Sequence, residues 1–339
     1  MSLSLDILPA ADDGRLPVVS ALGGAWLGLP SVGGTGLLPL QRIAAQVFGE
    51  DAPIVMEAWR GEGPVEVGEG DGVVWARQGG TLFGVIEIAE ESVARSADQT
   101  PLQAAGHEAY RRLFGLLGAQ GVPHLWRVWN FMAGINLDSH GLERYRQFNQ
   151  GRQGAFLEAS RAVRGAVPAA SALGLMGGPL SVAFLAGGEP VQAIENPRQV
   201  SAYDYPADYG PSSPTFSRAG LVRLDGRAVL FISGTASIVG HATLHPGDVV
   251  RQCQESLDNI EALLAATTET CADVALTLGD LIYRVYVRRA EDYPQVRDEV
   301  RRRVGGEATV IFLQADICRA DLLLEIEAVG FRESGKDEK

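Results

Sequence analysis

One order of strand and helix signals occurs twice along the chain, and this repeat restricts the possible folds more than any other feature. In the later half, "RAVLFISG" reads as a strand and "DVVRQCQESLDNIEALLAAT" as an amphipathic helix. Cys253, Leu257, Ile260 and Leu264 mark the apolar stripe of that helix, and Asp248 is placed to cap its N-terminus. "LIYRVYVRR" follows as a strand, "YPQVRDEVRRRV" as a helix, and "ATVIFLQAD" and "LLLEIEAVGF" as closing strands. The earlier half gives "GTLFGVIEIA" as a strand and "TPLQAAGHEAYRRLFGLLGAQG" as a helix. Thr100, Pro101 and Gln103 there supply a capping box and an N1 proline, and Gly118 or Gly121 can end the helix. "HLWRVWNFM" is its second strand, "GLERYRQFNQGRQGAFLEASRAV" its second helix, and "PLSVAFLAG" and "PVQAIENP" its last strands.

Two β-α-β-α-β-β units predict an α/β (α+β) protein of mixed sheets with helices packed on one face. The expected division falls between residues 197 and 198, giving halves 1–197 and 198–339. At the junction lies "NPRQVSAYDYPADYGPSSPTFSRAG", rich in Pro, Tyr and Ser. It is too aromatic for a plain flexible linker, and reads either as a functional loop or as a packed connector.

Composition narrows the chemistry. The formal net charge of -13 argues against a general nucleic-acid binder or a partner of anionic membranes, so any anionic substrate needs locally placed arginines. The only lysines are Lys336 and Lys339 in the polar tail, which argues against a Schiff-base enzyme or a P-loop. Cys253, Cys271 and Cys318 are too scattered for a disulfide framework. Apolar runs such as "LSVAFLAGG" are far shorter than the roughly 18 to 20 residues of a membrane span. "MSLSLDILPAADD" has neither a basic n-region nor a long apolar stretch, so a cytoplasmic location is expected.

Strand alternation in the last strand puts Leu324, Ile326 and Ala328 on one face and Leu323, Glu325, Glu327 and Val329 on the other. A carboxylate on such an apolar face either pairs with an arginine or sits dry with a raised pKa, poised as a general acid or base. Glu325 is the first candidate, and Glu327, on the same face, could be its partner at the rim. Tyr145 and Arg152 lie two helical turns apart, with Phe148 on the same stripe and Asn149 beside it. They form either a carboxylate clamp or a solvated helix surface. The connector offers Arg198, Tyr203, Tyr205, Tyr209 and Arg218. "FISGTASIVGH" offers Ser233, Gly234, Thr235 and Ala236 just past a strand, where backbone N–H groups could meet an anion. His241 and His245 have a metal pair's spacing but no third ligand, and no nucleotide, metalloprotease or serine-hydrolase motif is present. No metal or cofactor is expected.

The stretches "AVLFISGTAS", "QESLDNIEALL", "LIYRVYVR" and "LLLEIEAV" resemble the Rid family of enamine/imine deaminases. That resemblance implies a β-α-β-α-β-β unit, usually trimeric, with sites between subunits. The Rid deaminases' ligand-binding arginine would fall at Val310, so the deaminase reading lacks its anchor. More specifically, "YRQFNQGRQGAF", the Tyr-rich connector, "FISGTASIVGH" and "CRADLLLEIEA" are similar to the chorismatase family, over roughly residues 124 to 330. This similarity implies that Glu325 is the catalytic acid/base and that Tyr145, Arg152, Tyr205 and Arg218 contact chorismate, with Ala236 shaping the pocket. Family members yield 3-hydroxybenzoate (some also 4-hydroxybenzoate) or a dihydroxycyclohexadiene carboxylate, with pyruvate in every case. A cysteine at Cys318 resembles the hydroxybenzoate formers, whereas Ala236 leans toward the hydrolytic type. The expected activity is formation of 3-hydroxybenzoate, with a non-catalytic small-acid binder as the alternative from another class. A homotrimer and a monomer imitating one are both open.

Overall fold

The computed structural model describes residues 3–9, 21–28, 38–49 and 54–333; Lys336 and Lys339 lie outside them. In chain order the strands before the first helix are β1 (Ser4–Pro9), β2 (Gly23–Leu27), β3 (Leu40–Ile43), β4 (Val47–Phe48), β5 (Val55–Arg60), β6 (Val65–Gly70), β7 (Val73–Gln78) and β8 (Thr81–Ile88). Next come α1 (Pro101–Gln120), β9 (His124–Ala133), the short ribbon β10 (Asp138–Ser139) and β11 (Leu142–Glu143), α2 (Arg144–Glu158), β12 (Ala169–Leu175) and β13 (Leu180–Gly187). The remainder comprises β14 (Val191–Ile194), β15 (Ala219–Leu224), β16 (Arg227–Thr235), the ribbon β17 (Ile238–Val239) and β18 (Ala242–Thr243), α3 (Val249–Thr270), β19 (Leu281–Val287), α4 (Tyr293–Val304), β20 (Val310–Gln314) and β21 (Leu324–Glu333).

The repeat is real and builds two mixed sheets. One has the order β12-β9-β13-β8-β7-β6 and the other β14-β15-β16-β21-β19-β20-β4. In both, the strands that follow the two crossover helices pair in parallel (β12 with β9, β20 with β19), and the final strand inserts antiparallel beside them. Two expectations need correction. The third strand of the first unit is β12, "AASALGL", which the apolar pattern did not mark. "PVQAIENP" does not close the first sheet, because its strand β14 pairs antiparallel with β15 at the edge of the second.

Local chemistry fixes the helices. Thr100 Oγ1 accepts from Gln103 N at the start of α1, Pro101 opens its first turn, and Gly121 ends it at φ 63°. Asp248 caps α3 by accepting from Arg251 N. The apolar faces of α1 and α2 lie on the first sheet, and those of α3 and α4 on the second. The opposite faces of the two sheets meet in the main core, which includes Trp126, Phe131, Phe231, Tyr286 and Val329. A third, four-stranded sheet (β1-β5-β2-β3) closes that core with Ala25, Leu27 and Trp59. Each such buried side chain contributes about 1.5–3 kcal/mol from its removal from water.

An ion network ties all three sheets together. Glu57 from β5 makes a two-pronged pair with Arg284 from β19. Arg284 also reaches Glu327 of β21, and Glu327 pairs with Arg127 of β9 in the first sheet at 2.5 Å. All four side chains are buried. Breaking one partner of such a network leaves an uncompensated charge, at a cost of about 3–5 kcal/mol.

Candidate active site

The two carboxylates of β21 have different fates, although both point to the same face. Glu327 accepts from Arg127 Nη2, Trp129 Nε1 at 3.1 Å and the Tyr286 hydroxyl at 3.1 Å, with Arg284 Nη1 3.2 Å away. It is the structurally paired carboxylate, not a rim partner for Glu325. Glu325 is 3 % exposed and has no arginine within ion-pair distance among the described residues. Burial first, and then the charge of Glu327, push its pKa up to about 8, while Arg127 and Arg218 pull the other way.

Backbone irregularity makes room for Glu325. Strand β16 pairs with β21 until Ile232, slips over a bulge, and resumes at Thr235 opposite Ile326. Ser233 is held inside the bulge, its hydroxyl donating to Ser217 O and accepting from Ala170 N, which joins the edge of the first sheet to the second. Gly234, next to it, turns its α-carbon toward the Glu325 carboxyl. A methyl group at this position would lie 1.9 Å from Oε1.

Around that carboxyl lies a cavity of about 250 Å³. The walls come from both halves of the chain. From α2 come Tyr145 and Arg152, and from β12 Ala170, Ser171 and Ala172. The connector and β16 region contribute Tyr205, Arg218, Gly234 and Ala236, and the turn before β21 contributes Cys318 beside Glu325. The seven residues singled out in the sequence (Tyr145, Arg152, Tyr205, Arg218, Ala236, Cys318 and Glu325) therefore share one chamber.

Arg152 reaches the chamber because α1 and α2 cross almost backbone to backbone. A Cβ on Gly151 would fall 2.1 Å from Gln103 O. This contact sinks Arg152 to 1 % exposure, with its guanidinium 5.1 Å above the Phe148 ring and Nη2 donating to Asn149 Oδ1. Arg218 donates from Nη2 to Val200 O and to the Tyr205 hydroxyl. Nε of Arg152 and Nε of Arg218 are buried without a hydrogen-bond partner. Leaving such donors unmet costs about 1–3 kcal/mol each, so both are prepared to receive an anion. Cys318 Sγ lies 4.0 Å from Glu325 Oε2, and burial pushes its thiol up to about 12, so it is a thiol rather than a thiolate at neutral pH.

Other sequence candidates fall elsewhere. Arg198 is tied to Glu255 and Asn259, away from the chamber, and Tyr203 does not line it. Ser233 and Thr235 are occupied by backbone contacts. His241 meets Tyr209, His245 approaches Glu255, and among the described residues no cluster of three or more metal-ligating side chains occurs. Val310 stands on β20 outside the chamber. Sequence reasoning missed Arg319, whose guanidinium sits 4.2 Å from the Tyr209 ring and 5.2 Å from that of Tyr205. Its place in "CRAD", next to Cys318, was the available signal. Among the described residues no helix is long and apolar enough to cross a membrane.

A dry carboxyl and two buried guanidinium groups thus line one chamber between the two halves of the chain. Residues 57–186 match the family described as chorismatase FkbO/Hyg5-like, N-terminal. A chorismatase of Streptomyces rapamycinicus is 43% identical over 286 residues, covering 80% of this chain and 81% of the relative. A 3-hydroxybenzoate synthase of Streptomyces hygroscopicus is 39% identical over 285 residues, 80% of each. A chorismatase crystal structure superimposes with a TM-score of 0.86 at 34% identity, covering 97% of this chain and 98% of that one. The chain belongs to the chorismatase family, and it is an enzyme.

Proposed function

We propose that this enzyme converts chorismate to 3-hydroxybenzoate and pyruvate, with Glu325 as the proton donor. The observation that carries the reading is the unpaired, buried Glu325 carboxyl, which keeps its proton to about pH 8 while facing Arg152 and Arg218. Chorismate has two carboxylates, one on the ring and one on the enolpyruvyl group, and two guanidiniums with free Nε–H donors suit a dianion. Tyr145 and Tyr205 supply hydroxyls and ring edges along the wall.

The enol ether at ring C3 is the bond to break. Protonation of the departing enolpyruvyl fragment by Glu325 breaks the C3–O bond and lets it leave as pyruvate, while the C4 hydroxyl oxygen bonds to C3 and returns its proton to the Glu325 carboxylate. Opening of the resulting epoxide at C4, with loss of the C3 hydrogen as a proton to the same carboxylate, leaves the hydroxyl at C3. Hydroxybenzoate and pyruvate together contain all the atoms of chorismate, so this route consumes no water. The hydrolytic alternative adds one. Cys318, 4.0 Å from the acid, supports the hydroxybenzoate outcome as a neutral thiol able to influence where that proton returns. Ala236, also on the wall, bears on pocket shape.

The test is incubation with chorismate, without added metal or cofactor, followed by chromatographic identification of the products. Pyruvate and 3-hydroxybenzoate in equal amounts are expected. Pyruvate with the dihydroxycyclohexadiene carboxylate would assign the hydrolytic route, and no pyruvate would remove the proposal.

A further inference from the structure

Glu325 and Glu327 stand on one face of β21 with their α-carbons about 7 Å apart. Only Glu325 opens on the active-site chamber. Glu327 lines the narrow space between the sheets with Glu57, Arg127 and Arg284. Two guanidiniums, an indole N–H and a phenol O–H surround its oxygens. Four donors directed at one carboxyl suit only its ionised form, because a proton there would displace one of them. A fixed anion is thereby built in beside the proposed acid.

We propose that Glu327 is a positioning residue whose charge, set against that of Arg127, adds to burial in holding Glu325 in its proton-carrying form. This rests on the reading of Glu325 as the acid. The other charged or titratable groups facing Glu325 are Cys318 from the preceding turn, Tyr145 and Arg152 from α2, Arg218 from the connector and Tyr286 from β19. Arg127 and Arg218 both favour the carboxylate, and Glu327 is the neighbouring anion that opposes them. Without Glu327, Arg127 would lose its partner and act on Glu325 unopposed. The two members of the pair must therefore move the proton affinity of Glu325 in opposite directions.

The experiment titrates the infrared carboxyl stretch of Glu325, obtained as the difference between each protein and its E325Q counterpart, alongside the pH profile of kcat/KM for chorismate. E327Q is expected to lower the midpoint by about one pH unit or more, a tenfold weaker hold on the proton. R127Q, in which Glu327 keeps three donors, should raise it, and R127Q/E327Q should fall between the two. If E327Q does not fold, the charge-balanced double variant replaces it, and R127Q must still titrate above both the wild type and the double variant. Midpoints that stay in place, or that shift the same way in both single variants, overturn the proposal. The infrared midpoint needs no turnover, so a shift that kcat/KM does not follow would strike at the assignment of Glu325 as the acid instead.

Discussion

Gly234 and Glu325 are matched as a space and the group that fills it: the hydrogen on the glycine is all that the carboxyl leaves room for. The bulge in β16 puts Gly234 there, and the next paired residue, Thr235, is already back in register with β21. Gly234→Ala must therefore push the carboxyl out of its seat, or the bulge away from it. The expected result is a kcat lower by about 10²–10³-fold. Because the surrounding core is untouched, the melting temperature should fall by only a few degrees. Calorimetry together with steady-state assay on chorismate checks both.

With Glu325 as the proposed proton donor, an alkaline limit on activity is expected. As a proton donor it is competent below about pH 8, so kcat/KM should fall as pH rises through that value. The same shift has a stability cost. An unfolded carboxyl releases its proton near 4.5, whereas the folded one holds it to about 8, so the stability this group contributes is complete below 4.5 and is lost between those values. Glu325→Gln has no proton to lose. It should abolish turnover and, at pH 9, be more stable than the wild type by about 2–4 kcal/mol, with little difference at pH 4. Denaturant titrations at the two pH values provide the comparison.

Arg152 lines the chamber, whereas Arg198 is held by Glu255 outside it, so the two should respond differently to removal. Arg152→Met removes a buried fork over the Phe148 ring, and KM should rise about 10- to 100-fold. Arg152→Lys should recover little of this, since an ammonium does not reproduce the planar fork. Arg198→Met breaks the pair with Glu255 on the far side of the connector and should leave KM within about twofold, at some loss of stability. Initial-rate kinetics on the three variants distinguish them.

Much of this arrangement was legible because it is periodic or local. Alternation along "LLLEIEAV" identified the inward carboxylates, and the seven-residue spacing of Tyr145 and Arg152 placed both on one face of α2. What escaped has no local signature. Strand β12 is built of small residues, because Ile135 and Asp316 press against Gly174 and the seam with the second sheet leaves little depth. Its composition therefore lacks the β-branched and aromatic side chains by which strands are usually recognised. β14 joins the second sheet through pairing that no short stretch encodes. Arg127 meets Glu327 across 200 positions of sequence, so nothing near "EIE" shows which of its two acids is neutralised. β1, β2, β3 and β5 form a sheet of their own outside the repeat, and β4 joins the edge of the second sheet beside β20, so the repeated pattern gave no guide to any of them.

The chamber lies across the seam of the two sheets, with Glu325 on one copy of the repeated unit and Arg152 on the other. Fusing two such units in a single polypeptide frees each from having to supply every part of a site. The strand Leu180–Gly187, which closes the first sheet as β21 closes the second, contains no carboxylate. One copy could specialise in chemistry and the other in grip, a division of labour closed to identical subunits.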